Sequence, residues 1–499
     1  LQLFRSLSWW LVVVIFSGGC QENADQGEAN SKETQGGVIA LSAGAEGLSI
    51  EQLLDPKTCQ ACHPTHYAEW RASVHASAAE DPVFRALNRL GQEETQGELG
   101  SFCVQCHAPV ALALGETEDG LNLNEVPERS QGVTCAFCHQ IESVQGTHNN
   151  PLLWANDGLM RGGVIKPKSN SAHRSTYSPL LDGRQRESSS LCGSCHDIVT
   201  PTDVHLERTF WEWSQSIYAS EESSQQSTCG DCHLPSRRVS QSTNTEQREL
   251  SASGEVYHDH LMPAVDLTHN PAHGEPLIAL NGRTLRAEVE NELNITLLSE
   301  ICGEVGVSGG GEFELYLENV SAGHRFPSGA ALDRRLWVEV TAYDSAGEEL
   351  FASGRVAPGQ PAVEAQNDDE TMWLFRDTAY DVAGEETHLF WNISSVNRLT
   401  LPPSKPLWLP STPSDEESHV LKRYRFGTER PIYELRLRVF LRPIGLELLN
   451  QLVDKGYLAA EIIEEMPTFE LSAAGRSWRV DETEPRATLS GRELLCTPL

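Results

Sequence analysis

The clearest pattern of hydrophobic and polar positions lies in the second half of the chain. Apolar and polar residues alternate there over several stretches that Gly, Pro and Asp separate, at residues 312–320, 334–347 and 433–443. A period of two predicts antiparallel strands, so residues 276–499 are predicted to form an all-β, sandwich-like domain. Within it, Leu446, Leu449 and Val453 recur at helical spacing and predict one short helix.

The first half of the chain contains one internal repeat. Residues 67–77 (YAEWRASVHAS) match residues 210–220 (FWEWSQSIYAS), and each copy has a Trp and an aliphatic residue four positions apart. That spacing predicts a helix in each copy, with the aromatic and aliphatic side chains packed in a core. The copies differ at one informative position, because Tyr218 of the second copy stands where the first has His75.

A further helix is predicted directly after the first copy. Asp81 suits its N-cap, Pro82 its first turn and Gly91 its C-terminal end. The polar run 236–256 predicts a surface loop. Together these signals predict a mainly α, loop-rich first domain over residues 51–275.

The N-terminal segment has the pattern of a targeting signal. Residues 1–20 combine Arg5, an apolar run and small residues before Cys20, which is typical of a signal peptide and too short to span a membrane. The small residues before Cys20 also resemble a bacterial lipoprotein processing site. Lipidation of Cys20 is therefore predicted, with ordinary cleavage near Gly19 as the alternative. Residues 21–50 are polar, lack aromatic residues and predict a disordered tether.

The net charge limits the possible partners. The 499 residues include 38 Lys plus Arg and 71 Asp plus Glu, which gives a formal charge of −33. Nucleic-acid binding requires a basic surface, so that class of function is excluded. Neutral or basic protein partners are favoured instead.

Ten of the thirteen cysteines lie in one recurring motif, C-x-x-C-H. Its five copies are Cys59-Gln-Ala-Cys62-His63, Cys103-Val-Gln-Cys106-His107, Cys135-Ala-Phe-Cys138-His139, Cys192-Gly-Ser-Cys195-His196 and Cys229-Gly-Asp-Cys232-His233. This is the attachment signature of c-type haem, in which two thiols bind the porphyrin and the following imidazole binds its iron. Zinc binding or short disulfides are alternatives, but neither explains a His after every second cysteine. The sequence therefore predicts five covalently attached haems.

The spacing of the motifs predicts that the haems pack against one another. The five motifs span 175 residues, from 59 to 233, which leaves 35 residues for each haem. So short a chain cannot surround each haem with a separate protein core. Closely packed iron centres form a path for electrons, so electron transfer is the predicted function.

Histidine is the most available residue for the second axial position of each iron. Twelve of the 17 histidines lie outside the motifs, whereas the chain has only four methionines. Ligation by two histidines is therefore expected, and it gives lower reduction potentials than Met/His ligation.

Residues 55–270 resemble the multihaem c-type cytochrome superfamily, which includes tetrahaem electron carriers and octahaem nitrite and hydroxylamine enzymes. The resemblance is carried by CHPTHYAEWRASVHASA, GVTCAFCHQ, AHRSTYSPLLDGRQRESSSLCGSCHDIVTP, LERTFWEWSQSIYAS with TCGDCHLP, and YHDHLMPAVD. It continues in NVSAGHRFPSGAALDRRLWVEV at residues 319–340.

This resemblance implies which histidines lie on the far side of each iron. The distal candidates are His75, His173, one of His258 and His260, and His324, with His148 as a further candidate. His324 is alternatively a contact to a haem edge or a loop histidine bonded to backbone. His388 and His419 are expected at the surface of the β domain.

Two further cysteines lie near the two ends of the β region. An exported protein permits a disulfide between Cys302 and Cys496, which would restrict the unfolded chain. Two buried thiols are the alternative.

The leading hypothesis is an exported electron carrier, periplasmic or at the cell surface, held at the outer membrane by its lipid anchor. Its partners would be other cytochromes or a membrane electron-transfer complex, and no catalytic residue is assigned. The alternative is an oxidoreductase that reduces a small nitrogen or sulfur oxyanion at one open haem. No motif ends in Lys, as nitrite reductases often require, but Tyr218 could lie near an iron. In a third hypothesis, residues 276–499 dock a partner.

Overall fold

The computed structural model describes residues 47–167, 172–220, 223–237, 257–268, 278–279, 283–305, 310–404, 419–480, 486–489 and 492–495. Some predictions fall outside these ranges: the signal peptide over 1–20 with Cys20, most of the tether over 21–50, most of the loop over 236–256, and Cys496. Within the part of the chain that the structure describes, no helix has the length and apolar composition needed to cross a bilayer.

Short helices joined by loops make up the first part of the chain, as predicted. The helices are α1 (Ile50–Leu54), α2 (Pro56–Gln60), α3 (Pro64–Ala72), α4 (Val74–Ser77), α5 (Pro82–Glu94), α6 (Val104–His107), α7 (Pro109–Ala113), α8 (Cys135–His139), α9 (Ser188–Gly193), α10 (Thr209–Ser214) and α11 (Cys229–His233). Single 3-10 turns lie at Glu128–Ser130, Pro179–Leu181 and Ile217–Ala219. Several helices begin with proline, whose fixed φ suits a first turn and whose missing N–H costs nothing there.

Helix α5 begins as predicted but ends later. The Asp81 carboxylate accepts a hydrogen bond from the Phe84 N–H at 2.8 Å, which caps the first turn. The helix runs past Gly91 to Glu94, so the prediction that Gly91 ends it is wrong. Gly91 is needed for packing instead, because a Cβ there would lie 2.8 Å from the Trp391 ring.

Each copy of the sequence repeat forms two helical segments rather than the single predicted helix. The break falls at the same position in both copies, where Ser73 and Ser216 have extended backbone with ψ of 159° and 167°. In both copies the serine hydroxyl donates to the carbonyl of the Trp three residues earlier, at 2.7 Å. The serine therefore closes the first helix and redirects the chain before His75 and Tyr218.

Two-stranded sheets accompany these helices. They pair β1 (Ile141–Val144) with β2 (Leu152–Trp154), β3 (Leu159–Gly162) with β4 (Arg174–Tyr177), β5 (Ser236–Arg237) with β6 (Tyr257–His258), and β7 (Ile278–Ala279) with β8 (Arg283–Thr284). The β3–β4 pair is parallel and the others are antiparallel.

The second part of the chain is rich in antiparallel strands, which confirms the predicted β content. Its strands are β9 (Leu297–Val305), β10 (Gly311–Asn319), β11 (Arg335–Tyr343), β12 (Glu349–Ser353), β13 (Trp373–Phe375), β14 (Thr378–Tyr380), β15 (Ser395–Asn397), β16 (His419–Phe426), β17 (Glu434–Arg442), β18 (Phe469–Glu470), β19 (Arg476–Arg479), β20 (Arg486–Leu489) and β21 (Arg492–Leu495). Its helices are α12 (Leu285–Thr296), α13 (Ala362–Asp368), α14 (Leu446–Asp454) and α15 (Glu461–Glu465), with 3-10 turns at Phe390–Asn392 and Ser472–Ala474. Helix α14 is the one predicted from Leu446, Leu449 and Val453.

Two larger sheets contribute to one hydrophobic cluster. One sheet has the order β16-β10-β9, and the other has β12-β11-β17-β18, in which β13 also pairs with β11 and β19 with β17. Leu315 and Leu317 of β10 meet Val338 of β11 and Leu437 of β17 in this cluster, and all four are fully buried or nearly so. The sandwich-like arrangement of the sheets stays a prediction.

The β-rich part packs directly against the first helices. Leu90 of α5 lies in one hydrophobic cluster with Trp391 and with Leu449 of α14. The Trp391 indole donates to the Glu94 carboxylate at 3.0 Å, and Lys455 forms an ion pair with the same carboxylate at 2.9 Å. Residues of the second part can therefore reach the motifs of the first.

Cys302 of β9 is disulfide-bonded, which excludes the alternative of a free thiol at this position. Cys496, the predicted partner of Cys302, lies outside the described residues, so the pairing stays a prediction.

Candidate haem-binding site

Each C-x-x-C-H motif lies on about one helical turn. In several motifs the N–H of the His donates to the carbonyl of the first Cys: His63 to Cys59 at 2.7 Å, His107 to Cys103 at 3.2 Å and His196 to Cys192 at 3.0 Å. Thr134 and Thr228 cap the third and fifth motif helices through their side chains. One turn of helix places both thiols and the imidazole toward the same space.

All ten cysteines and five histidines of the motifs line one cavity of about 2290 Å³. Of the residues that the structure describes, six histidines from outside the motifs line the same cavity: His66, His75, His173, His258, His260 and His324. The cavity exceeds a typical small-molecule pocket of roughly 300–1,000 Å³. It therefore fits several large cofactors in contact, as the motif spacing predicts.

Four motif histidines each face a histidine from outside the motifs. The pairs are His63–His173 at 6.3 Å, His139–His260 at 6.4 Å, His196–His75 at 6.1 Å and His233–His324 at 6.5 Å between ring centroids. Metal–imidazole bonds of about 2 Å place the centroids of two axial rings about 6 Å apart. The residues present therefore fit an iron between each pair.

The hydrogen bonds of the imidazole rings leave the right nitrogen for a metal. Among the described residues, six cavity histidines donate Nδ1–H to a backbone carbonyl at 2.7–3.1 Å: His107 to Ala78, His139 to Arg161, His233 to Pro263, His258 to Leu234, His260 to His258 and His324 to Arg325. This bond fixes the tautomer and the ring orientation, and Nε2 is left with a lone pair for coordination.

Burial favours the neutral form of four cavity imidazoles. The loss of solvation lowers the pKa of His75 to about 3 and those of His196, His260 and His324 to about 4, and neighbouring imidazoles add to the effect. The neutral ring is the form that binds a metal.

His107 of the second motif differs from the other four. Its ring stacks on Phe84 at 4.1 Å with an angle of 4° between the planes. Among the residues that the structure describes, no histidine ring faces it as in the four pairs. The second motif is therefore the one place where the described residues offer no imidazole for a second axial position.

Two other cavity histidines have different neighbours. The His258 Nδ1–H donates to the Leu234 carbonyl at 3.0 Å, whereas His260 faces His139. Of the two alternatives, the geometry favours His260 as a ligand. The His66 ring lies 4.8 Å from the His260 ring and was not singled out by the sequence.

Histidines outside the cavity lining form other contacts. His148, a distal candidate, lies 6.1 Å from the exposed His205, and neither lines the cavity. The expectation of a surface position is wrong for His388, because its side chain is only 13% exposed and its Nδ1 bonds to Asp333 at 2.7 Å. His419 of β16 is half-buried, with its ring 5.9 Å from the Tyr316 ring.

Tyr218 lines the cavity but supports a loop. A Cβ on Gly323 would lie 2.8 Å from the Tyr218 ring, so the tyrosine packs against the loop that carries His324. Its hydroxyl accepts a hydrogen bond from Ser404 at 3.2 Å. Tyr218 is therefore beside a histidine of a facing pair.

Contacts between the thiols give the spatial order of the motifs, which the sequence could not supply. Cys59 contacts Cys135, Cys106 contacts Cys195, and Cys192 contacts Cys229. Cys138 also lies close enough to Cys195 to interact with it electrostatically. The first motif therefore lies beside the third and the third beside the fourth, while the second and fifth both adjoin the fourth.

The carboxyl group of Glu207 also lines the cavity. Burial raises the pKa of Glu207 to about 7, and the nearby Arg334 opposes this shift. Arg334 itself forms an ion pair with Asp266. Sequence reasoning missed Glu207 because nothing in its local pattern sets it apart from a surface Glu.

Comparisons with known proteins agree with this site. Residues 58–140 match the family model described as cytochrome c554 and c-prime. The fold is similar to that of a penta-haem cytochrome c552 from Thermochromatium tepidum, with a TM-score of 0.59 at 18% identity, over 86% of this chain and 99% of that one. No curated protein matches this chain. The resemblance to multihaem c-type cytochromes is confirmed, and c-type haem is the cofactor that these matches support.

Proposed function

We propose that this protein is an exported electron carrier with five c-type haems, four of which have two histidine ligands. The main observation behind the proposal is the set of four facing histidine pairs in a cavity lined by all ten cysteines and five histidines of the motifs. Electron transfer is the general function that homology to multihaem cytochromes c supports. An iron with both axial positions filled by imidazole exchanges electrons and has no vacancy for a substrate.

The chain's own residues support a continuous path for electrons. Thioether bonds at contacting cysteines would hold neighbouring haem edges close together, from the first motif through the third to the fourth. The second and fifth motifs adjoin the fourth, so the fourth is the junction of the array. Low reduction potentials are expected from ligation by two histidines.

The proposed location follows from the N-terminal sequence. A signal peptide with lipidation at Cys20 would place the protein in the periplasm or at the cell surface, anchored to the outer membrane. Redox partners would be other cytochromes or a membrane electron-transfer complex, and the charge of −33 favours partners with a neutral or basic surface.

The axial ligands can be tested by four single substitutions in the full-length holoprotein: His75→Ala, His173→Ala, His260→Ala and His324→Ala. Each is expected to change one haem from low-spin to high-spin and to open it to carbon monoxide, because one imidazole is removed from a facing pair. Absorption and EPR spectra count the affected haems. His205→Ala, outside the cavity, is the matched control and is expected to leave all spectra unchanged. Wild-type spectra in all four variants would refute the ligand assignment.

A second candidate function uses the second motif. His107 is the one motif histidine that faces no other described imidazole, which favours an open position at this haem. A haem with an open position can bind and reduce a small nitrogen or sulfur oxyanion with electrons from its neighbours.

The reduced wild-type protein is expected to bind carbon monoxide at one haem, since four are closed by histidine pairs. Replacing His107 by Ala should abolish this signal or alter its spectrum, whereas His205→Ala should not. Turnover of nitrite, hydroxylamine or sulfite with a reduced dye then separates a catalyst from a carrier. A fully low-spin protein that binds no carbon monoxide would rule out this second function.

A further inference from the structure

The two copies of the sequence repeat contact two different motifs in the same way. The Trp70 indole donates to the Val133 carbonyl at 2.8 Å, and the Trp213 indole donates to the Ser227 carbonyl at 3.0 Å. Val133 and Ser227 each lie two residues before the first cysteine of a motif, the third and the fifth respectively. Each copy therefore holds the start of one motif helix.

The same contact is reinforced by the backbone. The N–H of Val133 donates to the His75 carbonyl at 2.8 Å, and the N–H of Ser227 donates to the Tyr218 carbonyl at 3.0 Å. His75 and Tyr218 occupy equivalent positions in the repeat. The third and fifth motifs thus have equivalent hydrogen bonds to a copy of the repeat, although 94 residues separate their first cysteines in the sequence.

A buried glutamate precedes the Trp in each copy. Glu69 is 4% exposed, and its carboxylate accepts the backbone N–H of His260 at 3.1 Å. Glu212 is 6% exposed, and its carboxylate accepts the backbone N–H of Arg325 at 3.1 Å, next to His324. Each glutamate therefore reaches the segment that faces the motif held by the neighbouring Trp.

The imidazole pairs of the third and fifth motifs have nearly the same angle between their ring planes. The ring planes meet at 16° in His139–His260 and at 13° in His233–His324. By contrast, the planes of His75 and His196 meet at 77°. The near-parallel arrangement therefore occurs where a repeat glutamate holds the distal segment.

We propose that Glu69 and Glu212 are positioning residues that fix the orientation of the distal imidazoles of His260 and His324. The inference rests on the proposed role of these histidines as axial ligands. A hydrogen bond from a backbone N–H to a buried carboxylate is charge-assisted and stronger than a neutral one. The two bonds span 191 and 113 residues of sequence, so each ties a distant segment to the repeat helix.

The path from each carboxylate to its ring is short. Arg325 donates its backbone N–H to the Glu212 carboxylate. The carbonyl of the same residue accepts the Nδ1–H of His324 at 2.8 Å. Glu69 holds the N–H of His260 itself, whose ring is oriented by the His258 carbonyl at 3.0 Å. Such outer contacts orient a ligand and tune its metal.

The second copy shows that the positioning role of the glutamate does not require the repeat itself to supply an axial histidine. His75 of the first copy faces His196 of the fourth motif, whereas Tyr218 packs beside the His324 loop. The first copy therefore contacts the third motif and also faces the fourth through His75, whereas the second copy contacts the fifth motif. Both copies contain a Glu followed by a Trp, Glu69-Trp70 and Glu212-Trp213, and these residues contact the third and fifth motifs and the segments that face them.

EPR of the oxidised holoprotein separates positioning from general structural support, because the low-spin signal of each haem depends on the angle between its axial imidazole planes. Glu69→Leu and Glu212→Leu are each expected to shift the signal of one haem, a different one in each variant. Glu69→Gln and Glu212→Gln should keep the wild-type signals, since the amide oxygen can accept the same N–H. Glu314→Leu is the matched control, because Glu314 is equally buried, 5% exposed, but lies in β10 away from the cavity.

Aspartate variants of the two glutamates and alanine variants of the two histidines distinguish the remaining outcomes. Should the leucine variants fail to fold, Glu69→Asp and Glu212→Asp shorten the side chain but keep its charge, and the same single-haem shifts are expected. Unchanged EPR signals in the leucine or aspartate variants would overturn the proposal, and so would equal shifts in the glutamine variants. His260→Ala and His324→Ala test the ligands separately. If these leave the low-spin signals intact, the ligand assignment fails; if they remove them while the glutamate variants have no effect, only the positioning role fails.

Discussion

A variant in which Cys192 and Cys195 are both replaced by alanine is expected to lose one haem and to block electron transfer between the two ends of the array. The fourth motif is the junction, since its thiols contact Cys106 of the second motif and Cys229 of the fifth. Without this haem the first and third motifs would be separated from the fifth by an unfilled space. Each 100 Å³ of unfilled cavity costs about 2 kcal/mol, so a loss of stability is also expected.

Intact mass counts the remaining haems, and stopped-flow reduction follows how many of them accept electrons rapidly. The matched control replaces Cys59 and Cys62 by alanine. The first motif lies at an end of the array, where the Cys59 thiol contacts that of Cys135. This control should also lose one haem, yet the remaining haems should still be reduced together. Equal kinetics in the two variants would contradict the spatial order of the motifs.

Replacing Arg335 by leucine is expected to destabilise the β-rich part by about 3–5 kcal/mol, the usual cost of removing one partner of a buried ion pair. The Arg335 side chain in β11 is fully buried and pairs with Glu447 of α14. Its Nη1 also donates to the carbonyls of Leu332 and Arg334, each at 2.7 Å. The substitution leaves a carboxylate and two carbonyls without their charged donor.

Arg355→Leu is the matched control for this prediction. Arg355 also pairs with a glutamate, Glu349, but the side chains are 53% and 40% exposed. An exposed ion pair contributes only about 0–1 kcal/mol. Urea unfolding followed by far-ultraviolet circular dichroism gives both free energies of unfolding. Similar losses in the two variants would mean that the buried pair has no special role.

Local sequence was enough to identify the chemistry of this protein. The C-x-x-C-H motif needs only one helical turn to bring two thiols and an imidazole together, so its function does not depend on the rest of the fold. The alternation in residues 312–320 likewise predicts β10, because the side chains of a strand alternate between its two faces. The Asp81 cap of α5 is equally local and is confirmed.

Tertiary packing decided which residues face one another. His324 lies 91 residues after His233 in the sequence and belongs to the β-rich part, yet the two rings stand 6.5 Å apart. The continuation of α5 past Gly91 goes with a contact to a distant segment, because Gly91 packs against the Trp391 ring. The order of the motifs in space differs from their order in the chain for the same reason. Covalent haem attachment would be specified by neighbours in sequence, whereas the second imidazole and the neighbouring motif are chosen by the folding of segments that lie far apart in the chain.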